Sequence, residues 1–141
     1  MATSSIKEFE MSETIVKPKI AEEILLELQS KMKEEKQVIL HCCFKSDFIM
    51  EEKIRIWSST YLIDRNSDHI SKLIHFENIS LFPTWTDVPV AKEYWFTLVF
   101  SGLPDDCKVF DFIELIPQSG GFFEEGIVRN SSDIYRITLN I

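Results

Sequence analysis

The stretch "EYWFTLVFSGLPDDCKVFDFIEL", Glu93 to Leu115, decides the fold. Two runs rich in aromatic and β-branched residues flank "SGLPDD", whose Gly, Pro and Asp are turn formers. In a strand, successive side chains point to opposite faces. Tyr94, Phe96, Leu98 and Phe100 therefore share one face, and Trp95, Thr97 and Val99 share the other. The first run is apolar on both faces, as a central strand is. The second, "CKVFDFIEL", reads as another strand.

The same reading extends outward. "SDIYRITLNI" ends the sequence with clean alternation: Tyr135, Ile137, Leu139 and Ile141 face in, and Arg136, Thr138 and Asn140 face out. Upstream, "VILHCCF" is a short apolar run, and "DHISKLIHF" is a weaker strand. "KIRIWSSTYLID" alternates, with Ile54 and Ile56 on one face and Lys53, Arg55 and Trp57 on the other. Turn signals separate the runs at Asn66–Asp68, Pro83, Pro89, Gly102–Pro104, Gly120–Gly121 and Asn130–Asp133. About seven short strands punctuated in this way predict an antiparallel, immunoglobulin-like β-sandwich over 37–141.

One segment has a different period. Ile20, Ile24, Leu25, Leu28 and Met32 recur at helical spacing. Acidic Glu22 and Glu23 stand at its start and Lys31, Lys33 and Lys36 at its end, a polarity that suits the helix dipole. The spacing predicts one amphipathic helix over 19–35. Residues 1–16 form an arm or an edge strand around "IKEFEM". The expectation is a single domain, 1–141.

Composition narrows the function classes. The chain has 141 residues, 45% of them hydrophobic, with 11 Phe and 3 Trp. That is enough apolar material for a core without a metal or disulfide staple. The net charge is −8 and the 15 basic residues are scattered, which argues against nucleic acid or an anionic membrane as partner. No apolar stretch approaches the ~20 residues of a membrane-spanning helix. No basic start followed by an apolar run marks a secretory signal. The expectation is a cytoplasmic chain; a chain whose leader had been removed reads the same.

"VILHCCFK", Val38 to Lys45, holds the most reactive letters. Alternation puts Val38, Leu40, Cys42 and Phe44 on one face and Ile39, His41, Cys43 and Lys45 on the other. Cys42 then reads as a small core residue. His41 and Cys43 point the same way, ~7 Å apart, and supply two ligands of the three or four that zinc takes. Cys107, His69, His75 or an Asp would have to supply the rest, and none stands at a metal-ligand spacing. A thiol nucleophile at Cys43 would need activation by a neighbouring cation. The plainer reading is a strand with unreactive thiols.

No nucleophile elbow, P-loop, dinucleotide fingerprint or zinc-protease motif occurs. The acidic doublets Glu51–Glu52, Asp105–Asp106 and Glu124–Glu125 fall in expected loops and turns. The sequence therefore predicts no enzyme and no cofactor. The aromatics Trp57, Trp85, Trp95, Phe122 and Phe123 are the candidate binding surface. Gathered on the surface, they would suit a protein partner or a sugar ring. The plainer alternative has them covering the sheet's second face.

The order of "IRIWSSTYLID", "ENISL" and "FTLVFSGLPDDCKVFDFIE", within 54–115, resembles an uncharacterised immunoglobulin-like β-sandwich domain of Bacteroidetes-type bacteria. That domain often sits beside thioredoxin-like and other modules in exported proteins. The resemblance covers about half the chain. It implies that Phe96, Leu98 and Phe100 form the first strand of a hairpin, Leu103 and Pro104 its turn, and Phe110, Phe112, Ile113 and Glu114 its second strand. It implies a fold and no activity. The expectation for this chain departs from that pattern in three ways: a short, free-standing chain, no export signal, and the helix over 19–35. The expected function is a non-catalytic binding or structural module. Its partner is another protein or a second copy. A carbohydrate-binding module using the Trp residues, and a thiol or metal protein centred on His41 and Cys43, are the alternatives.

Overall fold

A computed structural model describes residues 36–45, 51–90 and 93–140. The helix expected over 19–35, the arm over 1–16 and Ile141 lie outside the described residues. Among the described residues there are nine strands: β1 Gln37–Lys45, β2 Glu52–Ile54, β3 Thr60–Asp64, β4 Ile70–Glu77, β5 Thr86–Val88, β6 Tyr94–Ser101, β7 Val109–Glu114, β8 Phe123–Val128 and β9 Ile134–Asn140. Seven form one sheet in the order β8-β7-β3-β4-β6-β1-β9, and β2 pairs with β5 in a second, two-stranded sheet. The chain is mainly β, as the turn-punctuated runs predict.

The main sheet curls. Seven strands ~4.8 Å apart would span ~29 Å if flat. The six peptide links from Val128 in β8 to Ile134 in β9 reach at most ~22 Å. The two edge strands must therefore approach one another, and β8 and β9 touch. The result is nearly a barrel, with one open seam.

Curling gives the sheet an inside. Val38, Leu40, Cys42 and Phe44 of β1, and Phe96, Leu98 and Phe100 of β6, are all at most 1% exposed. Leu62, Phe110, Phe112, Tyr135, Ile137 and Leu139 complete the same cluster. Edge-on ring contacts knit it together, Phe100 to Phe112 at 6.1 Å and Phe110 to Tyr135 at 5.1 Å. Such pairs add about 1 kcal/mol each beyond area burial.

Four expectations need correction. The strands β6 and β7 are not a hairpin. β6 pairs with β1 and β4, and β7 pairs with β3 and β8. Both edges of β6 are taken, so the turn segment 102–108 carries the chain across to the far side of β3. The order β7-β3-β4-β6 is a Greek key. Second, the sheet is mixed. β1 runs parallel to β9, because no turn joins these two strands to force them antiparallel. Third, "KIRIWSSTYLID" is not one strand. Ile54 and Ile56 are buried as predicted, but the chain leaves β2 after Ile54 and re-enters a sheet at Thr60. Thr60 Oγ1 donates to Trp57 O across that bend, at 2.6 Å. Fourth, Glu124 and Glu125 lie in strand β8, not in a loop.

One polar network closes the end of the sheet. Arg129 donates to both carboxylate oxygens of Asp133, at 2.5 and 2.9 Å. Its Nη1 also donates to Pro104 O at 2.7 Å and Cys107 O at 3.3 Å, within the crossover. Tyr135 donates its hydroxyl to Asp133 at 3.0 Å and accepts from Asn130 N at 2.9 Å. Arg129 thus ties the β8–β9 connection to the β6–β7 crossover. Arg129 and Asp133 expose only 14% and 15% of their side chains.

Candidate functional site

The two-stranded sheet builds an aromatic ladder. Antiparallel pairing sets Lys53 opposite Asp87 and Ile54 opposite Thr86. One step further, that register brings Arg55 to Trp85. A separate bridge joins Ile56 to Leu81, with Ile56 N donating to Ser80 O and Phe82 N donating to Ile56 O, both at 2.8 Å. It carries Phe82 alongside Trp57, and their rings stack at 3.8 Å. The Arg55 guanidinium lies 3.7 Å from the Trp85 ring centre, 4.5 Å from Phe82 and 5.9 Å from Trp57. Cation–π attraction and a hydrogen bond from Arg55 Nη1 to Pro83 O, at 3.2 Å, hold it there.

Beneath the ladder is Glu114, only 7% exposed. Its two oxygens accept from Trp57 N at 2.9 Å and Phe122 N at 3.0 Å. Burial raises its pKa; those two amides and the Arg55 charge pull it back, and the net shift is upward. Glu114 is a clamp. It fixes the backbone of Trp57 and of the Gly120–Phe122 turn against each other. Between them opens a cleft of about 160 Å³, lined by polar Lys53, Arg55, Gln118 and Ser119 and by Trp57, Trp85, Ile116 and Phe122 among others. Ligand pockets for drug-sized molecules run to roughly 300–1,000 Å³, so this cleft takes one side chain or one ring.

The seven-residue candidate set is split by the fold. Trp57 and Trp85 meet at the ladder. Trp95 stands elsewhere, on the outer face of β6, 44% exposed. His41 shares that face, beside Thr97 and Arg136 of the flanking strands. Phe122 packs inward on Phe44 and Phe96, at 6.1 and 5.9 Å, and serves as a lid of the core. Phe123 is half exposed at the seam, where a cavity of about 440 Å³ lies between Gly120–Phe123 and Leu139–Asn140.

His41 and Cys43 do share the outer face. Among the described residues, however, no three His, Cys, Asp or Glu side chains converge as metal ligands. Nδ1 of His41 is engaged with Thr97 Oγ1 at 2.9 Å. Cys43 is 1% exposed. Burial raises its thiol pKa, the Glu93 carboxylate adds to this, and Lys45 only partly opposes them. Burial also pushes Cys42 far up, with Cys43 adding to it, and lifts Cys107 to about 11, helped by Asp64. All three thiols are free and buried. These are the environments of inert thiols.

Sequence reasoning missed Arg55 and Phe82. Arg55 stands two residues before Trp57 on the same strand face, and Phe82 three before Trp85. Those spacings were visible, but the Ile56–Leu81 bridge that joins the two pairs was not. No protein-family model, no curated protein and no solved structure matches the chain.

Proposed function

We propose that the chain is a non-catalytic binding module. It takes another protein, a second copy of itself included, on the surface formed by Arg55, Trp57, Phe82 and Trp85. The observation that carries this reading is Trp85. It is half exposed and lies in a loop, with the Arg55 guanidinium against its ring. Trp and Arg are the residue types that dominate binding energy at protein interfaces, and aromatics in a pocket ringed by polar groups are its usual setting. The Lys53–Asp87 ion pair at 3.7 Å, Gln118 and Ser119 supply such a rim. The cleft beside the ladder has the size of one partner side chain. The reading needs no cofactor, nucleic acid or membrane.

For the fold, we propose kinship with the immunoglobulin-like sandwiches of Bacteroidetes-type bacteria, with the helix expected over 19–35 as an addition to that pattern. Two features support it. One is the Greek-key order around β3. The other is the Tyr135 hydroxyl turning back to the backbone of Asn130, as in a tyrosine corner.

A photo-crosslinking residue at exposed Thr84, beside Trp85, tests the binding reading in the source cells, with Ser131 of the β8–β9 connection as control. The expected result is a discrete protein adduct from position 84, absent from position 131 and lost when Trp85→Ala is added. Equal adducts at both positions, or an adduct that survives Trp85→Ala, would contradict it.

A further inference from the structure

We propose that the outer face of the main sheet carries a second site, for a small carboxylate of the sugar-acid class. Trp95, Thr97, His41 and Arg136 build it, with Asn78 as its wall. It is independent of the Arg55 ladder, and its failure leaves that surface untouched.

Strand register supplies the first argument. Glu77 of β4, Thr97 of β6, His41 of β1 and Arg136 of β9 are successive partners in one row across four strands. Trp95, Cys43 and Thr138 form the row on one side of it. Val99, Ile39 and Ile134 form the row on the other. A polar strip thus lies between an indole platform and an apolar band. A cavity of about 240 Å³ opens on it, lined by His41, Asn78, Trp95, Phe96, Thr97 and Arg136.

The chemistry of the lining names the ligand. Arg136 is exposed, and among the described residues it makes no hydrogen bond or ion pair. A free guanidinium offers a planar fork of donors that matches a carboxylate. Nδ1 of His41 is engaged with Thr97 Oγ1 at 2.9 Å, which leaves Nε2 as the ring nitrogen for a ligand beside Arg136. Glu77, the acidic end of the row, is three strand spacings from Arg136, ~14 Å, and is occupied by His75 at 2.7 Å. A carboxylate therefore binds at the Arg136 end.

Trp95 lies ~12 Å from Arg136 along the diagonal of the two rows, a span that one ring between two extended side chains fills. The exposed indole suits the apolar face of a pyranose. Asn78 and Thr97 offer donors and acceptors that hydroxyls use and a benzene ring does not. The Asn78 backbone is pinned beside the cavity: it is left-handed (φ 64) and its carbonyl accepts from the Tyr94 hydroxyl at 2.6 Å.

The test is an amide and indole NMR titration of the whole chain with sodium glucuronate, glucose and benzoate. Glucuronate is expected to give saturable shifts centred on His41, Thr97, Arg136 and the Trp95 indole. Glucose should bind at least about tenfold more weakly, for want of the charge-assisted bonds. Arg136→Gln should weaken glucuronate by a similar factor and Trp95→Ala should remove the saturable shifts, while Trp85→Ala leaves them unchanged. Absence of saturable shifts with glucuronate would overturn the proposal. So would glucose binding as tightly as glucuronate, benzoate binding as tightly or more so, or an unaltered titration in Arg136→Gln.

Discussion

Arg129 joins two separate connections of the fold through one side chain. Its guanidinium meets a carboxylate in bidentate fashion and two carbonyls of the crossover, while mostly buried. Removing it leaves the largely buried Asp133 carboxylate without its ion-pair partner, held by the Tyr135 hydroxyl. We expect Arg129→Ala to cost about 3 kcal/mol in chemical denaturation. The pH dependence has a definite sign. Burial raises the pKa of Asp133, but its bonds to Arg129 and Tyr135 and the Arg129 charge outweigh this and hold it below the ordinary range. Asp64 is likewise low, because Asn66 N and the Ser67 hydroxyl outweigh burial. A depressed folded pKa stabilises the fold above the unfolded value and loses that contribution as pH falls through the folded value. Stability should therefore decline below about pH 4, and Asp133→Asn should flatten that decline. Glu114 acts in the opposite sense: its raised pKa contributes stability at low pH that is lost as pH rises through the folded value. Thiol labelling gives a further check. The three cysteines should be silent to a thiol reagent at neutral pH in the native protein and react on unfolding; rapid labelling of Cys43 in the folded state would contradict the burial described.

At the scale of elements, Gly121 shows how closely the ladder is joined to the sheet. A Cβ there would collide with the carbonyl oxygen of Glu114, at the end of β7. Gly121→Ala should cost about 1–3 kcal/mol and displace the Phe122 amide from Glu114, read as lost hydrogen-exchange protection at that amide. Individual strands were legible in the sequence wherever one face is buried. β1, β6 and β9 were all found from alternation, and their inner rows are the observed core. β8 was hidden because Glu124, Glu125 and Gly126 break the pattern. Gly126 has a positive φ (71) and donates to Asp111 where the β7–β8 register shifts. Which strands pair was not legible. Local pattern marks β6 and β7 as strands separated by a turn, and only the competition of β1 and β4 for the edges of β6 denies them each other. The candidate site was half visible for the same reason. Trp57 and Trp85 were marked by type and place; their union with Arg55 and Phe82 depends on a bridge between residues 25 positions apart.

At the largest scale, the described residues form a nearly closed sheet whose aromatics divide between an inner core and surface positions. The inner rings hold the fold: Phe100→Ala should cost about 3–5 kcal/mol, as buried aromatics do. The ladder has the opposite character in this account. On the proposed reading its outer member, half-exposed Trp85, meets a partner, and the fold gains from it chiefly an exposed cation–π contact worth about 0.5–1 kcal/mol. The most direct test is the unfolding free energy of Trp85→Ala, measured by chemical denaturation against the wild-type chain. The account predicts a loss of about 1 kcal/mol or less with an unchanged denaturant slope. A loss of about 3 kcal/mol or more, equal to that of a core aromatic, would show that the ladder is part of the scaffold and contradict its assignment as a binding surface.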